Sequence, residues 1–112
     1  MNDNMKKVVK ALRSGGYAQT RESLQDRYGY CCLGVMCDVY REETGVELEL
    51  NSDGDINGGH LADQVGVKEW VGLKSSNGRS RYNTSLVTMN DEGKTFLEIA
   101  DFIESEPEGL LV

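Results

Sequence analysis

The chain has 112 residues, with 38% hydrophobic and 7% aromatic side chains and a formal net charge of −7 at neutral pH. That length holds one domain with one core, able to bury roughly two-thirds of its unfolded surface without a disulfide or metal. The acidic balance argues against broad duplex DNA binding through phosphates, and no window approaches the ~20 apolar residues of a membrane span. With no signal-peptide apolar region at the N-terminus, a cytoplasmic protein is expected.

Asn2, Asp3 or Asn4 can cap a first helix, and Met5, Val8, Val9 and Leu12 repeat at the spacing of one buried helical face. Ser14-Gly15-Gly16 stops it. The polar stretch from Tyr17 to Arg27, leading to Tyr28-Gly29-Tyr30, reads as a short strand pair, with an ordered loop as the alternative. A central helix is expected to start near Cys31–Leu33 and run to Thr44, with Gly45 as its left-handed terminator. Cys32, Val35, Met36, Val39 and Tyr40 fall on one face of it. Gly34 inside that helix costs about 1 kcal/mol relative to alanine, which signals a close approach by another element, with the first helix as the expected neighbour.

Val46-Glu47-Leu48-Glu49-Leu50 alternates as a strand with one buried face does. Asn51 to Gly59 reads as a turn, and Leu61 to Val71 as one or two short helical turns interrupted at Gly66. Asn77-Gly78 predicts a hairpin joining Gly72–Ser76 to Arg79–Tyr82. Thr84 or Ser85 can cap a turn of helix through Leu86 and Met89. Thr95 and Glu98 form a capping box ahead of Phe96, Ile99, Ala100 and Ile103, and Pro107 and Gly109 end regular structure. The expected architecture is α+β: one globular domain over residues 1–106, with three helices near 4–14, 32–44 and 95–105 packed with a small, mostly antiparallel sheet. Residues 107–112 follow as a C-terminal tail whose apolar Leu110-Leu111-Val112 tip is compatible with docking on a neighbour or with a homodimer.

The three cysteines, two of them adjacent, read as small buried hydrophobes rather than a disulfide framework. Together with His60 they make a zinc set arithmetically, but a vicinal pair followed five residues later on one helix does not converge as a C-x2-C knuckle does. Asp53-Gly54-Asp55-Ile56-Asn57-Gly58 matches the first half of a calcium loop, whose twelfth position is Gln64 and offers no bidentate carboxylate. No metal or cofactor is therefore expected. One histidine, no G-x-S-x-G and no phosphate loop leave nucleophilic and phosphoryl-transfer enzymes without their usual markers.

Charge is unevenly spread. Met1–Arg27 carries six basic and three acidic residues, and Leu73–Tyr82 three basic and no acidic ones, inside an otherwise acidic chain. Arg13, Tyr17, Arg21 and Arg27 in the first patch, and Arg79, Arg81 and Tyr82 in the second, pair guanidinium forks with tyrosine faces. Converging, they would form a cleft for a small anionic or nucleotide-like ligand. A second reading uses Asp38, Glu42, Glu43, Glu47 and Glu49 as an acidic face for a protein partner, as in an inhibitor or DNA mimic. A third, a carboxylate-dependent hydrolase, requires a deep pocket holding a carboxylate of raised pKa.

Tyr30-Cys31-Cys32-Leu33-Gly34-Val35-Met36-Cys37-Asp38, preceded by Ala11-Leu12-Arg13-Ser14-Gly15-Gly16-Tyr17, resembles a segment of small uncharacterised proteins encoded by tailed bacteriophages and prophages. Trp70-Val71-Gly72-Leu73 and Asn90-Asp91-Glu92-Gly93-Lys94-Thr95-Phe96 with Ile99-Ala100-Asp101 are similar to the middle and C-terminal parts of the same group. The resemblance implies expression inside a bacterial cell and an accessory protein that counters host defence by binding a ligand or a host protein. It implies no catalytic residue.

Overall fold

The computed structural model describes residues 1–56, 58–82 and 84–112. Helix α1 (Asp3–Arg13) starts where the Asn2 side chain accepts a hydrogen bond from the Met5 amide at 2.7 Å. Its stripe of Met5, Val8, Val9 and Leu12 is buried, and Lys10 and Arg13 in the last turn complement the carbonyl end of the helix. Strands β1 (Gln25–Asp26) and β2 (Gly29–Tyr30) pair antiparallel, with Gln25 opposite Tyr30. The Asp26 carboxylate closes their turn by accepting from the Tyr28 and Gly29 amides.

Helix α2 (Cys32–Thr44) ends on Gly45 at φ 73°, as its sequence requires. Every residue from Cys32 to Cys37 is buried, so its first half is wrapped on all sides rather than amphipathic. Two short helices, α3 (Val65–Val71) and α4 (Leu86–Asp91), occupy the stretches expected to hold helical turns. Ser85 caps α4 by accepting from the Thr88 amide. Helix α5 (Phe96–Glu104) carries the full Thr95–Glu98 capping box and buries Phe96, Ile99, Ala100 and Ile103. Helix α1 packs between α2 and α5. The architecture is α+β, with five helices and one two-stranded antiparallel sheet among the described residues.

A Cβ added at Gly34 would lie 1.6 Å from the Leu24 carbonyl oxygen. The close neighbour at this glycine is therefore the backbone entering β1, not the first helix as expected. The crossing is held by Cys31, whose amide donates to the Leu24 carbonyl at 3.3 Å. Cys31 takes the N-cap position of α2 but offers no side-chain cap bond. The Asn90 side chain, 1% exposed, supplies it from α4 by accepting from the Cys32 amide at 3.2 Å. Asn90 also accepts from Gln19 Nε2 and donates to the Thr20 carbonyl, so its buried amide is satisfied on both sides. One side chain thus joins α4, α2 and the segment ahead of β1.

Three expectations are corrected. Val46–Leu50 forms no strand: among the described residues, no backbone group pairs with residues 47–50 to make a ladder. Asn77-Gly78 does form a turn, with Gly78 at φ 67° and its amide donating to the Ser75 carbonyl. The flanking segments, however, do not pair with each other: Leu73 bridges Leu111, and Arg79 bridges Ser85. Residues 107–112 are not a loose tail. Leu110 is fully buried, its carbonyl accepts from the Lys74 amide, and the Val112 amide donates to the Gly72 carbonyl. The backbone at 72–74 needs partners, and the apolar C-terminal residues supply them while burying Leu110.

Two substitutions test this arrangement by urea unfolding. Gly34→Ala would gain stability at an open helical site, but here it should lose about 2 kcal/mol or more, since carbonyl and methyl cannot share the space. Leu110→Ala should cost about 3 kcal/mol, the usual scale for emptying a core site. A free tail would show almost no change.

Candidate functional site

The seven basic and aromatic residues expected to line one cleft are placed separately. Arg13 at the end of α1 donates to Asp101 at 2.7 Å and pairs with Glu104 at 3.2 Å, clamping α1 to α5. Tyr17 donates its phenol to Asp38 Oδ2 at 2.6 Å. The Arg21 guanidinium lies against Gly93. Arg27 stacks over the Tyr28 ring, 4.8 Å from its centroid. The Arg79 amide donates to Ser75 Oγ, Arg81 pairs with Glu108 at 2.6 Å, and Tyr82 is 72% exposed. Of four concavities among the described residues, none brings an arginine or tyrosine of one basic segment together with one of the other. The expected convergence is not met in any of them, because acids from distant elements claim Arg13, Tyr17 and Arg81 first.

Tyr17 belongs to a half-buried polar cluster on α2. Arg41 donates to Asp38 Oδ1 at 2.8 Å and to Gln25 Oε1 at 3.0 Å, while Tyr17 and Tyr30 meet edge to face at 5.1 Å. Burial, followed by the bond to Asp38, pushes the Tyr17 phenol up, so it stays a donor. Asp38, expected on an exposed acidic face, is instead committed to this cluster.

The three thiols are free and buried, as their reading as small hydrophobes requires. Burial pushes Cys31 up to about 11 and Cys37 to about 12, and raises Cys32 as well. That is the reverse of what activates a nucleophilic cysteine. His60 Nδ1 accepts from the Ala62 amide in its own turn. Among the described residues, no three of His, Cys, Asp and Glu converge to hold a metal. Asn57 of the calcium-loop match lies outside the described residues. The carboxyls with displaced pKa values, Glu98 and Glu106, are both lowered, by Thr95 and by the N-terminal ammonium respectively.

The remaining constellation is acidic. From Glu42 to Asp63 the chain carries seven carboxylates and no lysine or arginine, a run that includes Glu42, Glu43, Glu47 and Glu49 of the acidic face expected from the sequence and extends it to Asp53, Asp55 and Asp63. Glu43 pairs with Lys7 at 3.1 Å. Glu42, Glu47, Glu49, Asp53, Asp55 and Asp63 make no ion pair among the described residues. A concavity of about 550 Å³ runs along Glu47, Leu48, Glu49, Leu50 and Asn51 and is closed by Asp63 and Gln64. Three carboxylates line it, with no cation. A second, of about 480 Å³, collects Asp26, Asp53 and Asp55 beside Arg27 and Tyr28. This surface is a ready counter-charge for a basic partner.

The thiols give a pH test with a defined sign. Folded Cys31 and Cys37 hold their protons up to about 11 and about 12, whereas an unfolded thiol titrates near ~8.5. Their contribution is fully present below pH ~8.5 and is lost as pH rises through the folded values. The thermal midpoint should fall over that alkaline range, less steeply in Cys37→Ala. A disulfide-exchange reagent at pH ~8 should leave all three thiols unmodified until denaturant is added.

No helix among the described residues is long and apolar enough to cross a membrane. No curated protein and no solved structure matches the chain. A family described as "Domain of unknown function (DUF8296)" matches residues 1–107, which covers α1 through the capping and packing of α5. The chain belongs to the DUF8296 family.

Proposed function

We propose that this protein acts by binding rather than catalysis, and that it presents the acidic face from Glu42 to Asp63 to a basic partner protein. The observation that carries the reading is six carboxylates that make no ion pair among the described residues, on a stretch that has no lysine or arginine. Elsewhere Arg13, Arg41, Arg81 and Lys94 each pair with a carboxylate. The excursion from Glu42 to Asp63 has no cation of its own to do the same. Buried, protonated thiols and an imidazole engaged in its own turn support a non-catalytic role.

The resemblance to phage-encoded proteins supports a setting in the cytoplasm of a bacterial host cell, with a host protein as the partner and interference with host defence as the outcome. Proteins that handle nucleic acid have surfaces already charged to meet phosphates, and a row of carboxylates answers the same charge. Capture of a nucleotide-like ligand by the two basic segments has weaker support, since Arg13 and Arg81 are spent on carboxylates and none of the four concavities described above holds arginines of both segments.

Oligolysine is the simplest probe of this face. It should bind with an affinity that falls several-fold between about 50 and about 200 mM salt. Glu47→Gln with Glu49→Gln should weaken it by about tenfold, while Glu69→Gln with Glu92→Gln, equal in charge change but outside the run, should leave it nearly unchanged. Equal effects from both pairs would mean diffuse attraction to an acidic protein and would overturn the reading. Retention of a nucleoside triphosphate in equilibrium dialysis, abolished by Arg27→Ala or Arg79→Ala, would replace it with ligand capture.

A further inference from the structure

The segment from Glu47 to Leu50 is unusual in its backbone as well as its charge. Its alternation of charged and apolar residues, continued from Val46, makes it competent to be a strand. At its start the Val46 amide donates to Thr44 Oγ1, and at its end the Asn51 amide donates to the Asp55 carbonyl at 2.8 Å. Leu48 packs on the core from between these two fixed points. Yet no amide or carbonyl from Glu47 to Leu50 makes a hydrogen bond among the described residues. Val46 and Leu50 remain 45% and 46% exposed. The segment is pinned at both ends, anchored in the middle and unpaired in between.

We propose that Glu47–Leu50 is an open strand edge, and that the partner completes it with a basic, extended peptide segment lying in the adjacent concavity. This rests on the acidic-face reading and specifies its mode: main-chain pairing supplies the docking, and alternate side chains supply the selection. The groove has the required composition. Glu47, Glu49 and Asp63 line it without a cation, so lysine or arginine at alternate positions of the incoming segment meets a carboxylate. Apolar residues at the other positions extend the half-exposed Val46 and Leu50 surface. A second copy of this chain is a poor occupant. Antiparallel self-pairing would set Glu47 and Glu49 of one copy against those of the other, and like charges directly opposite are destabilising.

In an extended strand, neighbouring residues direct their amides to opposite edges. Hydrogen exchange by NMR in the full chain, with an alternating Lys-Val peptide as probe, therefore gives a distinctive readout. At saturating peptide, either Glu47 and Glu49 or Leu48 and Leu50 should gain at least about tenfold protection, with the intervening amides unchanged. Proline at the protected exposed position should then weaken binding by at least about tenfold relative to a matched control: Glu49→Pro against Glu49→Gln, or Leu50→Pro against Leu50→Thr. Neither side chain belongs to the core, and an unchanged thermal midpoint verifies that the variant is folded. If the peptide binds in a salt-sensitive way but none of the four amides gains protection, or if the proline variant binds like its control, the strand edge is overturned and the acidic-face reading stands. If the peptide does not bind even at low salt, both are overturned.

Discussion

The contact between the Leu24 carbonyl and Gly34 sets the layout of this molecule. Only a glycine lets a backbone lie directly on α2, since any Cβ there would meet the oxygen at 1.6 Å. Once the chain crosses at that point, Leu24 is fully buried and its amide reaches the Gly58 carbonyl at 2.8 Å. Gln25 bridges Ile56 beside it. The crossing thus serves two excursions at once. It fixes residues 17–30 on one side of α2, bringing Tyr17 and Gln25 onto Asp38 and Arg41. It also captures the returning end of the acidic run, which leaves α2 at Gly45 and spans the gap largely on its own. Asn90 completes the same junction by capping α2 from α4.

Electrostatics follows from that layout. Arg13 is drawn to α5, Arg41 to Asp38, Arg81 to Glu108 and Lys7 to Glu43, so basic residues meet carboxylates on other turns or other elements. These pairs are mostly exposed and each contributes little to stability. They nonetheless consume Arg13 and Arg81, which a nucleotide cleft would need, while six carboxylates between Glu42 and Asp63 make no ion pair among the described residues.

Features carried by local sequence were legible; features that depend on a distant partner were not. The stripe of α1, the Thr95–Glu98 box and the Gly45 terminator each encode their element within a few residues. Gly34 announced a close approach, but nothing near it in sequence says which backbone arrives. Asn77-Gly78 specifies a turn, while the pairing of its flanks went to Leu111 and Ser85, whose competing claim is not local. Asn90 is illegible for the same reason: an asparagine before Asp-Glu-Gly reads as a helix stop, and its buried role exists only once Cys32, Gln19 and Thr20 surround it. The basic patches were adjacent to tyrosines in sequence, but adjacency does not bring Arg13 and Arg81 into one cleft.

Val46–Leu50 shows the limit most clearly, because its pattern was read correctly and its state was not. Alternation encodes the ability to pair, and the ladder itself must come from elsewhere. A short apolar edge left open in water invites self-association, and proteins commonly blunt such edges with charge. Glu47 and Glu49 do this here, since two copies of the segment repel. The same carboxylates leave the edge receptive to a segment of opposite charge. On the proposed reading, protection against the protein's own copies and selection of a basic partner are one physical property, supplied by two glutamates on either side of a leucine that packs on the core.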